Sequence, residues 1–113
     1  MGFFSTPQTK TIELPGAGNR ATVRKLSYAE QQRVISEASR IEFASGKAVP
    51  VVDVGKLRHG QTRLSVCDWE GPDFEGRPCT PQNVDALPSE IGNLLQEAAE
   101  EINTTLGEEE KKA

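Results

Sequence analysis

The sequence predicts a mostly α protein with a small N-terminal β-hairpin, an α+β chain of three to four helices whose last member is long and amphipathic. Three observations predict this. A capping-box sequence, Ser27-Tyr28-Ala29-Glu30, opens a segment with apolar residues at helical spacing. A second apolar stripe runs from Leu87 to Leu106 at the same spacing. Near the N-terminus, Pro15-Gly16-Ala17-Gly18-Asn19 separates two short segments that alternate polar and apolar residues, the pattern of a hairpin.

Residues 1–9 read as a disordered N-terminus and 10–106 as a single small domain. The hairpin is expected over 10–26, with Ile12, Leu14, Val23 and Leu26 on its apolar side. A lone hairpin is marginal in water, so it must lie on a helix or a partner. The first helix is expected over 27–45. Val34, Ile35, Ala38 and Ile41 fall on one face, and Gly46 ends it.

Residues 48–54 carry a β-branched run, Val49, Val51, Val52 and Val54. Pro50 cannot donate to a ladder, which restricts this run to an edge strand or a loop. A second helix is expected over 53–69 with Asp53 as N-cap, although Gly55 and Gly60 each weaken a helix by about 1 kcal/mol relative to Ala. A Gly/Pro/Asp loop fills 70–79. Thr80 then caps a helix with Pro81 at its first position, where the missing N–H costs nothing. Pro88 interrupts and restarts this segment, giving helices over 81–106. Residues 107–113 read as a disordered acidic tail after Gly107.

Composition narrows the function classes. The 113 residues are 35% hydrophobic and 27% charged, a polar globular chain with a thin core. Its net charge is −4, concentrated in residues 88–113, where seven Glu face only Lys111 and Lys112. That distribution argues against nucleic acid as the main partner, because phosphate binding needs a basic surface. No apolar run approaches the roughly 20 residues of a membrane span, so no membrane partner is expected. The start Met1-Gly2-Phe3-Phe4 lacks the basic region of a secretory signal, and its match to a myristoylation site is faint. Two cysteines then suit free thiols in a reducing cytosol.

The candidate chemistry is sparse. Cys67, Cys79 and His59 lack the close Cys pairs and the fourth ligand of structural zinc. A Cys-His nucleophile needs an activated thiolate, and an acidic neighbour such as Asp68 beside Cys67 is the wrong sign of charge to supply one. Asp68, Glu70, Asp73 and Glu75 do not follow the order of a calcium loop. Gly16-Ala17-Gly18 is too short for a phosphate-binding loop and fits a turn. No catalytic, cofactor or metal site is therefore expected.

Longer segments carry a resemblance. They are Val23-Arg24-Lys25-Leu26-Ser27-Tyr28-Ala29-Glu30 before a helix, Leu64-Ser65-Val66-Cys67-Asp68-Trp69 before the loop 71–78, and Thr80-Pro81-Gln82-Asn83-Val84-Asp85-Ala86-Leu87-Pro88 before the terminal helix. This order resembles the tail assembly chaperones of long-tailed bacteriophages over about residues 10 to 106. In them V-R-x-L-[ST]-x-x-E and W-x-G…D-x-x-G-x-P…[ST]-x-x-N-[ILV]-x-x-L-P recur.

The resemblance implies a protein that is not an enzyme, works in the host cell cytoplasm and is absent from the finished virion. Its partners would be the long helical tape measure protein, which it keeps soluble, and the tail tube protein, whose subunits it helps recruit. Self-association is a further expectation for so thin a core. Many members also have a longer, frameshifted form, for which Lys111-Lys112 is the candidate position. A structural virion component, such as a head–tail connector or tail terminator, is the alternative.

Masking a helical partner needs apolar strips rimmed with charge. The partner-binding candidates are Trp69 and the stripe Ile91, Leu94, Leu95, Ala98 and Ile102, with the face Val34, Ile35, Ala38 and Ile41 as a second strip. The same residues are also the candidates for the protein's own core, and one surface cannot serve both roles.

Overall fold

The computed structural model describes residues 8–112, with side chains as far as Thr104. Residues 1–7, with the expected N-terminal disorder and the myristoylation match, lie outside the described residues, as does Ala113. The described chain runs β1 (Thr9–Glu13), β2 (Arg20–Arg24), α1 (Tyr28–Ala38), β3 (Ser39–Ala44), β4 (Lys47–Val52), α2 (Val54–Ser65), β5 (Val66–Glu70), a 3-10 turn at Pro72–Phe74, α3 (Pro81–Asp85) and α4 (Ser89–Lys112). Strands thus occur through the first two thirds of the chain. The expectation of a mostly α protein with one N-terminal hairpin is overturned: the fold is α+β, and the described residues form five strands in two antiparallel sheets.

The first sheet has the order β1-β2-β5. β1 and β2 form the hairpin expected from the Pro15–Asn19 turn, paired from Thr9↔Arg24 to Glu13↔Arg20. β5 then pairs with the other edge of β2, from Arg20↔Glu70 to Val23↔Val66. The register shifts between Thr22 and Val23, which leaves Cys67 as the extra residue on β5. Ala21, Val23, Val66 and Trp69 point to one side and are buried there against α4 through Leu95, Ala98 and Ile102. Leu14, Phe74 and Val84 close the ends of this core.

The helix expected over 27–45 stops at Ala38. Its start follows the sequence pattern: the Glu30 amide donates to Ser27 Oγ at 3.2 Å, and the Ser27 amide donates to Glu30 Oε1 at 3.0 Å. Its end does not. From Arg40 the residues alternate Arg-Ile-Glu-Phe, and Ser45-Gly46 turns the chain back into β4. Ser45 has φ 53° and Gly46 φ 76°. Two consecutive positive φ values define a type I′ turn, the two-residue connection whose twist matches that of paired strands. Ile41 fits both a helical and an alternating period, and the turn decides between them.

The helix expected over 53–69 is likewise shorter. Asp53 caps it, accepting from the Lys56 amide at 3.1 Å, but α2 ends at Ser65 and Val66–Glu70 leave as β5. Gly60 permits close packing of α1 on α2, since a Cβ there would lie 3.3 Å from Val34 Cγ1. Thr80 caps α3 with Pro81 at its first position, and α4 restarts after Pro88. Gly107 does not end that helix, whose backbone continues to Lys112, so the expected tail 107–113 is helical over its described part.

Polar ties fix the helices on the sheet. Asn103 accepts from the Leu26 amide at 2.9 Å and donates to the buried Ser65 hydroxyl at 3.0 Å, joining the β2–α1 link, α2 and α4. Arg24 clasps Glu30 at 2.8 and 2.6 Å, joining β2 to α1. Gly71 has φ 138° and sits against Asn19, whose Cα would be 2.6 Å from any Cβ placed there. Only glycine fits that position.

Candidate protein-binding surface

The structure uses most of the expected partner-binding residues as core. Leu95 is 0% exposed, and Ala98 and Ile102 are buried with it beneath β2 and β5. Ile91 is half-buried and packed against the same cluster. Of the stripe, Leu94 alone stands open, at 36% exposure. Leu106 lies outside the residues whose side chains are described.

Trp69 is also buried. Its indole N–H donates to the Arg77 carbonyl at 2.7 Å, and its ring stacks on Phe74 with centroids 4.6 Å apart. It pins the loop 71–78 to the sheet. On α1, Val34 and Ala38 are buried, whereas Ile35 is exposed. Ile41 is not on the helix at all.

What the fold leaves uncovered is the β3–β4 hairpin. The pairing runs Ser39↔Val52, Ile41↔Pro50 and Phe43↔Ala48 on one face, alternating with Arg40↔Val51, Glu42↔Val49 and Ala44↔Lys47 on the other. The first face is apolar apart from Ser39. Phe43 is 82% exposed, Ile41 60% and Val52 42%, and neither strand packs extensively on any other element. The second face carries Arg40 and Glu42, paired at 2.8 Å. Apart from the hairpin, Leu26, Val34, Ile35, Val54 and Leu57 line an open groove of about 320 Å³ between α1, α2 and α4, together with as many polar side chains, Arg58 and Glu100 among them.

The hairpin is missed by a reading of helical period alone. The signal for it is present in the sequence, since Ser45-Gly46 lies between two alternating segments. Pro50 fits because of ladder phase. The Asp53 amide donates to the Ala38 carbonyl at 2.8 Å, which makes Ala38↔Asp53 a hydrogen-bonded pair. Counting along the register, Arg40↔Val51 and Glu42↔Val49 are hydrogen-bonded and Ile41↔Pro50 is not. The position without an N–H therefore faces outward and costs no ladder bond.

The chemistry-bearing residues lie apart from this surface. Cys79 donates weakly to the Val66 carbonyl, and burial, reinforced by Asp68 and Cys67, pushes its thiol up to about 11. Such a thiol is a poor nucleophile at neutral pH. Cys67 is exposed and contacts the Thr22 carbonyl at 3.4 Å. His59 Nε2 lies 2.6 Å from Asp85 Oδ1, and Arg63 Nε lies 3.2 Å from the same oxygen, a link between α2 and α3. Asp73 is held by Asn19 at 2.6 Å, as part of the turn against the loop. Among the described residues no three His, Cys, Asp or Glu side chains gather to hold a metal ion, and no helix is long and apolar enough to cross a membrane.

No protein-family model matches the chain, and neither a curated protein nor a solved structure is significantly similar to it.

Proposed function

We propose that this protein is a tail assembly chaperone of a long-tailed bacteriophage, acting in the host cell cytoplasm by binding protein and not by catalysis. The apolar face of the β3–β4 hairpin carries the reading. Ile41, Phe43 and Val52 project into water on a two-stranded sheet. Burying a side chain of this size contributes roughly 1.5–3 kcal/mol. A surface of this kind suits the apolar stripe of an amphipathic helix, which the tape measure protein exposes along its length. Recruitment of tail tube subunits belongs to the same proposal, and so does the absence of an enzymatic role.

The alternative, a structural virion component such as a head–tail connector or tail terminator, draws on the same hairpin as an arm reaching a neighbouring subunit. Two measurements separate the readings. Co-expression with the tape measure protein of the same genome is expected to raise that protein's solubility and to yield a co-purifying complex. Mass spectrometry of purified particles is expected not to find this chain. Its recovery at stoichiometric levels would establish the structural reading, and failure to alter tape measure solubility would end the chaperone one.

A further inference from the structure

The hairpin has two outer edges, and they are not equivalent. On β4 the outward-facing backbone positions are Ala48, Pro50 and Val52, so Pro50 interrupts that edge with a missing donor. On β3 they are Ser39, Ile41 and Phe43. The Ser39 amide is used in ending α1, where it donates to the Ser36 carbonyl, but the N–H groups of Ile41 and Phe43 point away from β4. The sheet contains only β3 and β4 among the described residues, and no described strand pairs with them. An open edge bearing large apolar side chains is a template for another strand.

We propose that β3 pairs with β3 of a second copy of this chain, antiparallel about a two-fold axis through Ile41. Charge selects both the occupant and the register. Antiparallel self-pairing centred on Ile41 sets Arg40 opposite the partner's Glu42 and Glu42 opposite the partner's Arg40, in the closely spaced, non-hydrogen-bonded positions. Both side chains lie on the same exposed face, with side-chain exposures of 55% and 50%. Centring the axis one residue later would oppose Glu42 to itself, which like charge disfavours.

In the chosen register the Ile41 N–H and C=O bond their counterparts, and the Phe43 N–H reaches the carbonyl of the partner's Ser39. The two hairpins become one sheet in the order β4-β3-β3-β4, with Pro50 guarding each outer edge, so assembly closes at two copies and does not propagate. The apolar faces align side by side and stay available, because pairing uses the edge and not the face. The inference therefore stands independently of the chaperone reading.

A six-residue edge is small beside the roughly 1,200 Å² or more of a standard interface, so a concentration-dependent dimer is expected. Sedimentation velocity of the full chain over a concentration series, with reductant to keep Cys67 and Cys79 free, reads it directly. The native chain is expected to shift from monomer to dimer. Ile41→Pro removes the outward N–H and no bond of the β3–β4 ladder, and is expected to stay monomeric over the same range with unchanged circular dichroism. Glu42→Arg is expected to weaken the dimer at least tenfold, and Arg40→Glu combined with Glu42→Arg to restore it, since the swapped charges still face each other. A native chain that stays monomeric, an Ile41→Pro chain that still dimerises, or a charge swap that fails to restore association would each overturn the proposal.

Discussion

The chain builds two antiparallel sheets from similar local material and uses them in opposite ways. In β1-β2-β5, alternation places Ala21, Val23, Val66 and Trp69 on one face, and α4 covers that face with Leu95, Ala98 and Ile102. In β3–β4, alternation places Ile41, Phe43, Ala48, Pro50 and Val52 on one face, and nothing of the described chain covers it. An apolar face becomes core or contact surface according to what packs on it. The strand itself does not carry that information.

The largest effects should fall on the covered sheet. Trp69→Ala removes the ring stacked on Phe74 and the bond to the Arg77 carbonyl. It is expected to cost about 3–5 kcal/mol in urea unfolding. Leu95→Ala, at a fully buried position, is expected to cost about 2–5 kcal/mol. The matching truncation on the other sheet, Phe43→Ala, is expected to change global stability by under about 0.5 kcal/mol. Comparable losses from Leu95→Ala and Phe43→Ala would erase the contrast.

An intermediate effect is expected at the turn. Gly46→Val puts a β-branched residue at φ 76° in the type I′ turn. It is expected to loosen β3–β4 by about 1 kcal/mol or more while leaving β1-β2-β5 unaffected. Amide hydrogen exchange should then show faster exchange at Glu42 and Val49 and unchanged protection at Val23. Equal acceleration in both sheets would mean that they unfold as one unit.

The smallest effect concerns the clasp that joins them through α1. The Arg24 guanidinium, helped by the Ser27 amide, holds the Glu30 carboxyl down to about 2 from an ordinary value of 4.5. A carboxyl lowered on folding adds stability that is complete above its unfolded value. That contribution is lost as pH falls from about 4.5 toward 2. Glu30→Gln is therefore expected to flatten the decline in melting temperature across that window and to lower stability slightly at neutral pH. An unaltered acid slope would remove the clasp from the account.

Local signals in the sequence were legible wherever the chemistry is local. Ser27 with Glu30, Asp53, and Thr80 with Pro81 cap helices where their side chains can reach the amides of the first turn. Pro15–Asn19 turns the first hairpin. The apolar stripe of α4 was legible as a stripe, but whether it meets this chain or another depends on β2 and β5, which no helical period reports. β5 reads as helix in the sequence because Leu64 and Cys67 continue the spacing of α2, whereas Val66 and Trp69 are claimed by an edge of β2 more than forty residues away. At β3, Ile41 satisfied two periods at once, and the turn at Ser45-Gly46 was the discriminating signal. Most of the partner-binding candidates are buried in this chain's own core for the same reason: spacing identifies a face and not its cover.

The β3–β4 hairpin is spare of the core, and in the proposed function it serves a partner. The most direct test of that division is the doubly charged variant Ile41→Glu with Phe43→Glu, melted alone and then co-expressed with the tape measure protein. A melting temperature within about 2 °C of the native chain is expected, because both side chains already face water, together with loss of the tape measure protein from the soluble fraction. A variant that melts far lower, or that keeps the tape measure protein soluble as well as the native chain does, would contradict it.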